Sequence, residues 1–237
     1  MPGADGLRFE AVHVSLGAFT LSADLTVDRG ARVAVIGPSG SGKSTLLALV
    51  SGFLLPDRGR VIWRGEDLGR LAPGRRPVSI VFQDQNLLPH LTAFQNVALG
   101  LRPDLRLDRN QTDEVQGALA RVGLKGFGDR LPANMSGGQQ SRVALARVLL
   151  RRRPILLLDE PFAALGPALK DEMLDLLTEI AGETGATVLM VSHDPDDARR
   201  FAPQTIVVDQ GVAAPPVATE GLLADPPPGL RAYLGIT

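Results

Sequence analysis

Nine residues constrain this chain more than any other stretch: Gly37, Pro38, Ser39, Gly40, Ser41, Gly42, Lys43, Ser44 and Thr45. They fit the pattern G-x-x-x-x-G-K-[ST]. They lie between an apolar run at residues 32–36, which reads as a strand, and residues 45–50, which read as a helix. Glycines let successive backbone N–H groups converge on an anion, and the helix N-terminus behind them adds partial positive charge. In such a loop Lys43 neutralises β- and γ-phosphates and the Ser44 hydroxyl ligates Mg²⁺. A chance match is rare in a chain whose lysines are Lys43, Lys125 and Lys170. The loop reads as a site for a nucleoside triphosphate.

The surrounding pattern is that of an α/β fold. Phe19, Leu21, Ala23, Leu25 and Val27 alternate with more polar neighbours, the period-2 mark of a half-buried strand. A further strand pair is expected at residues 61–63 and 78–82, separated by Gly65, Gly69, Pro73 and Gly74. From about Asn86 to Arg153 the pattern turns helical. Val115, Ala118, Leu119 and Val122 share one helix face with Gly123 as a stop, and Ser136 precedes a second helix. Residues 155–158 and 187–191 are nearly all apolar, as strands buried on both faces are, and a helix over about 167–182 supplies the crossover between them. Residues 213–229, with Pro215, Pro216, Pro226, Pro227 and Pro228, read as an irregular tail.

Acids and polar residues follow the strands. Asp159 and Glu160 leave the run 155–158 at its C-terminal edge, where open α/β sheets bind ligands. Asp159 is placed to hold the Mg²⁺ shell and Glu160 to orient or deprotonate an attacking water, so the chemistry is hydrolysis. Gln83 and His193 leave two further strands in the same way: His193 for the γ-phosphate, Gln83 for the Mg²⁺ or the water. Each alone is an ordinary surface residue, and their value comes from converging on one triphosphate. Met135, Ser136, Gly137, Gly138, Gln139 and Gln140 make a helix N-cap followed by glycines, a second place able to take a phosphate. One chain does not need two such places for one nucleotide, but two chains facing each other do.

Composition sets the frame. The 237 residues are 44% hydrophobic and 22% charged, ordinary for a globular protein of one domain or a core with a subdomain. A net charge of −1 gives no general pull towards nucleic acid or anionic lipid. The lack of cysteine excludes a disulfide scaffold, a thiolate metal site and a cysteine nucleophile. No apolar run approaches the ~18 residues that cross a bilayer. The start, Met1, Pro2, Gly3, Ala4, Asp5, lacks the form of a signal peptide, so the chain is expected in the cytosol, held at a membrane only by another chain.

Taken together, these residues resemble the ATP-binding subunits of ABC transporters through essentially the whole chain. The Walker A loop is Gly37 to Thr45, the Q-loop residue Gln83, and the signature Met135 to Gln139. The Walker B strand ends at Asp159, followed by Glu160, and His193 is the switch histidine. The resemblance implies a P-loop NTPase core, a mainly parallel sheet flanked by helices, with an N-terminal antiparallel β subdomain and an inserted α-helical subdomain. Residues 1–237 then form a single ABC ATPase domain. Its parts are a β-rich part with Walker A at 1–85, a helical subdomain with the signature at 86–153, a core at 154–210 and a tail at 211–237. It also implies ATP and Mg²⁺ as cofactors, with Ser44, Gln83 and Asp159 around the metal, and an ATP-dependent homodimer. Each nucleotide is held between Gly37–Thr45 of one copy and Ser136, Gly137, Gly138 and Gln139 of the other. Membrane permease subunits dock near the Q-loop, a periplasmic or surface solute-binding protein acts indirectly, and the chain lies peripherally on the cytoplasmic face of the inner membrane.

Within the family, residues 75–83, 86–92, 99–105 and the ending at 233–237 resemble the ATPases of bacterial thiamine importers, implying thiamine or its phosphate esters as the solute. The alternatives are another small-solute importer or a non-transport relative acting on nucleic acid. Such relatives carry long insertions or two cassettes, for which 237 residues have no room. Arg151, Arg152 and Arg153 read as cations at a helix C-terminus rather than a nucleic-acid patch. Three departures from the family pattern stand out. Met135 replaces leucine, Gly166 replaces the D-loop aspartate that helps couple the two sites, and Leu16 stands where an adenine-stacking aromatic is expected, with Phe19 a substitute if the register shifts.

Overall fold

A computed structural model describes residues 5–234 of the chain. They divide into two compact units. One runs up to Ile80 and adds Pro154–Glu160 and everything from Gly185 on; the other comprises Val81–Arg153 and Pro161–Thr184.

The first unit is built on a sheet. Strands β1 (Leu7–Leu16) and β2 (Phe19–Val27) form an antiparallel hairpin. Leu7 and Phe9 point inward, but so do Val12 and Val14, which is a slip of one residue in the alternation. The structure absorbs it with a β-bulge. Pairing of β1 with β2 and with β4 (Arg58–Trp63) shifts register at the same place, where Ala11 has φ 44°. A bulge inserts one unpaired residue, so the side chains beyond it again face the core.

Strands β3 (Arg32–Ile36), β7 (Ile155–Asp159) and β8 (Thr187–Val191) run parallel, with β9 (Gln204–Asp209) parallel to β3. Ile155, Leu156, Leu157 and Leu158 are all buried, the pattern of a strand covered on both faces. Each such side chain contributes about 1.5–3 kcal/mol of hydrophobic stabilisation. Short strands β5 (Glu66–Asp67), β10 (Val212–Ala213) and β11 (Val217–Ala218), with β6 (Val78–Val81), complete the sheet. Among the described residues its order is β5-β4-β1-β2-β10-β9-β3-β8-β7-β6, with β11 beside β9. Helix α1 (Lys43–Ser51) packs on β7 and β8, and α6 (Pro195–Phe201) packs on β3.

Two sequence expectations are corrected here. Strands β4 and β6 are not a pair, and they stand near opposite ends of the sheet order. The turn at Arg64 (φ 51°) and Gly65 (φ 82°) instead folds β4 onto β5, because two consecutive positive-φ residues make a tight hairpin turn. The stretch 213–229 is not irregular. It holds the end of β10, β11, helix α7 (Thr219–Ala224) and the start of α8 (Pro228–Tyr233). Pro228 occupies the first turn of α8, where its fixed φ suits a helix and its missing N–H costs nothing. The residues Met1 to Ala4 and Gly235 to Thr237, used above for the signal-peptide and thiamine-importer readings, lie outside the described residues.

The second unit is helical: α2 (Ala93–Ala98), α3 (Arg109–Arg121), α4 (Gly137–Arg151) and α5 (Pro167–Thr184). Val115, Ala118 and Leu119 form the buried face of α3, and Gly123, at φ 74°, turns the chain away just beyond it. Helices α2, α3 and α4 each begin with a closed capping box, at Thr92/Gln95, Asp108/Gln111 and Ser136/Gln139.

Candidate functional site

In the first unit the loop at residues 37–45 follows β3 directly and runs into α1. Its glycines are required by the backbone. Gly37 has φ 149°, and a Cβ there would lie 1.9 Å from the Val208 carbonyl oxygen. Gly42, the N-cap of α1, has φ 112°, and a Cβ there would lie 2.8 Å from the Phe19 ring. No side chain caps α1 and no acid stands in its first turn, so its N-terminal N–H groups face the loop without a competing carboxylate.

Lys43 is the first residue of that helix and is buried. Its Nζ donates to the carbonyl oxygens of Gly37 and Pro38, both at 2.8 Å, which fixes the ammonium inside the loop with one of its three N–H groups to spare. Burial lowers its pKa, while the carboxylates of Glu160 and Asp159 act in the opposite direction. The buried Ser41 hydroxyl has no hydrogen-bond partner among the described residues.

The end of β7 closes the site. Asp159 ends β7 near Ser44; burial pushes its carboxyl up, Ser44 and Lys43 oppose the shift and the nearby Glu160 adds to it. Glu160 leaves the strand in the left-handed region, φ 49°, while its N–H donates to the Val191 carbonyl at 3.2 Å. A non-glycine residue held there stores local strain, a feature that clusters at functional sites. Its carboxylate oxygen Oε2 is 3.3 Å from Nδ1 of His193, which follows β8 by two residues. A cavity of about 480 Å³ is bounded by the loop with Lys43 and Ser44 and by Phe19, Glu160, His193 and Tyr233.

The structure thus brings together Gly37, Pro38, Lys43, Ser44, Asp159, Glu160 and His193 within one unit. These residues fit a nucleoside triphosphate: a cradle without room for side chains, a buried cation, and an orphaned serine hydroxyl beside them. They also fit a hard divalent cation held by few protein oxygens. Among the described residues no cluster of three or more His, Asp or Glu stands ready as a dedicated metal cage, and Mg²⁺ is commonly held by one or two protein ligands plus substrate phosphates. Leu16 pairs across the hairpin with Phe19, and of these two it is Phe19 that lines the cavity, with Tyr233 a second aromatic there.

Gln83 and Ser136, Gly137, Gly138 and Gln139 belong to the second unit. Gln83 is exposed and its carbonyl accepts from Gln85 Nε2 at 3.1 Å. The loop that carries it is pinned by Arg147 of α4, whose guanidinium donates to the carbonyls of Asn86 (2.8 Å) and Gln85 (3.0 Å). Ser136 Oγ accepts from the Gln139 N–H at 3.3 Å, and Gln139 Oε1 accepts from the Ser136 N–H at 3.1 Å. Sequence reasoning found the cap and missed the box, although the spacing S-x-x-Q at 136–139 announces it. It also missed Arg147 and Tyr233, for which no local motif exists. Arg152 is the left-handed C-cap of α4 and pairs with Glu114 at 3.4 Å.

With this geometry in hand, the comparisons are specific. The family model described as ABC transporter matches residues 21–163. The thiamine import ATP-binding protein ThiQ of Cereibacter sphaeroides is 62% identical over 229 residues, covering 97% of this chain and 99% of that protein. Among solved structures, the dimeric post-hydrolysis state of the ATP-binding cassette MJ0796 bound to ADP and Pi is 30% identical with a TM-score of 0.76. The match covers 90% of this chain and 98% of that one. The cbiO1 protein of Clostridium perfringens, part of the ABC transporter complex cbiONQ, is 27% identical with a TM-score of 0.82, covering 97% and 94%.

Proposed function

The chain belongs to the family of ABC transporter ATP-binding domains, and from that membership we propose that its ATP hydrolysis drives import of thiamine or its phosphate esters. The observation that carries the solute is the 62% identity to a thiamine import ATP-binding protein along nearly the full length of both chains. The observation that supports hydrolysis is the placement of Glu160 and His193 on the cavity that Lys43 and Ser44 line.

Lys43 and the N–H groups of residues 37–45 bind the phosphates, and their fixed positions supply electrostatic stabilisation without reorganisation. Ser44, Asp159 and Gln83 would hold Mg²⁺, which would neutralise charge on the phosphates. Glu160 orients the attacking water and accepts its proton, and His193 contacts the γ-phosphate. Phe19 stacks on the base. Ser136, Gly137, Gly138 and Gln139 contact the nucleotide of a second copy in an ATP-dependent homodimer. The dimeric MJ0796 structure with ADP and Pi supports this arrangement. Residues 1–237 act as one ABC ATPase domain, in which residues 86–153 form the helical subdomain carrying the signature. Permease subunits supply the membrane passage, since no helix among the described residues is long and apolar enough to cross a membrane. The chain works peripherally on the cytoplasmic face, and a solute-binding protein delivers the solute to the permease.

The test is uptake of labelled thiamine at low concentration in source cells, comparing the native allele with Glu160→Gln at equal protein level. Loss of uptake is expected, together with a fall of about 10²–10⁴-fold in the turnover of the purified variant and retained ATP binding. Lost turnover with unchanged uptake would remove thiamine as the solute and leave the ATPase in place. Wild-type turnover would remove Glu160 as the catalytic base.

A further inference from the structure

We propose that Tyr233 is a positioning residue for His193, holding through its hydroxyl the backbone that carries the imidazole. The inference rests on the reading of Glu160 and His193 just given. Tyr233 is the last residue of α8, and its O–H donates to the His193 carbonyl oxygen at 2.9 Å. It lines the same cavity as Lys43, Glu160 and His193.

The His193 side chain is 59% exposed, so little packing fixes it, and its place is set by its backbone. The neighbours of His193 are tied down from within the unit. The Ser192 N–H donates to the Val35 carbonyl at 3.3 Å, and the Ser192 hydroxyl pairs with Asp197 at 2.6 Å while accepting from the Asp194 N–H at 3.1 Å. Asp194 in turn accepts from the Asp196 N–H at 2.9 Å. Tyr233 adds the hold on residue 193 itself, and it comes from a segment forty residues away.

The phenol is itself held in place. Leu230 of α8 is fully buried. The Arg231 guanidinium donates to the Pro226 carbonyl at 3.2 Å and to Asp225 at 2.8 Å. Gly229 approaches β9 so closely that a Cβ would lie 2.3 Å from an Asp209 carboxylate oxygen. Burial, reinforced by the charges of Glu160 and Asp194, pushes the Tyr233 hydroxyl up from its ordinary pKa, so it stays protonated and able to donate. A donor anchored in this way restricts the arc through which the imidazole moves relative to Glu160, and near-attack geometry is sensitive to such displacement.

The experiment uses the full chain with Tyr233→Phe, His193→Ala and the double variant. Steady-state ATP hydrolysis is measured alongside the NMR signals of its three imidazoles, His13, His90 and His193. Tyr233→Phe keeps the ring and removes only the hydroxyl. It is expected to lower kcat about three- to ten-fold, the worth of one net hydrogen bond, with KM for ATP unchanged. It is also expected to shift the His193 signals while those of His13 and His90 stay, and to cost nothing further in the His193→Ala background. Unchanged kcat or unmoved His193 signals overturn the proposal. So does an equal loss of kcat in the His193→Ala background, which marks a general strap, or a rise in KM alone, which marks a nucleotide contact. If His193→Ala itself keeps wild-type turnover, the role assigned to His193 fails and the tether falls with it. A slow His193→Ala beside a wild-type Tyr233→Phe removes the tether alone.

Discussion

Helices α1 and α4 both begin on glycine-rich turns, and they treat their N-terminal N–H groups in opposite ways. At α4 the box of Ser136 and Gln139 satisfies two donors internally, as the boxes at Thr92/Gln95 and Asp108/Gln111 do for α2 and α3 in the same unit. At α1 the N-cap is Gly42 in the left-handed region, with no side-chain bond and no acid in the first turn. A side-chain cap is worth about 1 kcal/mol over alanine but only about a few tenths over glycine, whereas an end without one keeps its donors for an anion. At the phosphate cradle the fold therefore forgoes a small local gain that the signature turn keeps. In the proposed dimer the Ser136 hydroxyl, which only accepts in this box, still has its own O–H to donate to the other copy's nucleotide.

The largest effect that would break this contrast is expected at Lys43. Lys43→Ala removes a buried cation aimed into the cradle. The expected loss is about 30- to 5000-fold in ATP affinity, the range for truncating one partner of a buried charge pair. Titration calorimetry or a fluorescent nucleotide reads it directly, and unchanged affinity would mean that the loop binds without its lysine.

Much of the cradle was legible because its chemistry is local. The strand at 32–36, the glycines and the lysine are consecutive, and each conformation they adopt is one the residue type favours. The nearly all-apolar runs at 155–158 and 187–191 were legible for the same reason, since they lack the alternation of a half-buried strand. The bulge at Ala11 was not, because a slip of one in the alternation of Leu7, Phe9, Val12 and Val14 looks like weak periodicity until the partner strand is known. Nor was the destination of β6, since the residues between β4 and β6 fold into a hairpin arm and short turns that periodicity does not resolve. Tyr233 was hidden for a deeper reason: its hydrogen bond joins residues forty apart, and its helix begins in a run of prolines that reads as punctuation.

A smaller, paired effect sharpens the contrast through stability. Gly42→Ala forces a left-handed backbone and drives a methyl group towards Phe19 and Leu21. A loss of about 1–3 kcal/mol, or several degrees in Tm, is expected. Gly137 lies in the first turn of α4 with an ordinary φ, and a Cβ there meets only Leu165 Cδ2 at 3.7 Å. Gly137→Ala should leave stability unchanged or raise it by at most about 1 kcal/mol, read as an unchanged or higher Tm. If Ser136 to Gln139 meet the nucleotide of a second copy, Gly137→Ala should also slow hydrolysis while leaving the affinity of the single chain intact. Equal destabilisation by the two alanines, measured by thermal unfolding without nucleotide, would erase the distinction between the two glycine turns.

The smallest effect concerns the helix of the second unit that lacks a side-chain box. The Gly166 carbonyl accepts the first helical hydrogen bond of α5, from the Lys170 N–H at 2.9 Å, and Pro167 follows as the first helical residue. Gly166 is therefore an N-cap without a capping side chain, at the position where the family pattern has aspartate. It does not need glycine for room, because nothing lies within 4 Å of a Cβ built there and its φ is not positive. Aspartate at an N-cap is better than glycine by a few tenths of a kcal/mol, and its charge complements the helix N-terminus. Gly166→Asp should thus raise Tm by about 1 °C in the nucleotide-free chain. A fall in Tm would show that the turn holds glycine for a reason other than backbone space. A rise accompanied by a steeper dependence of hydrolysis on ATP concentration would show that the native glycine gives up both a cap and a link between two sites.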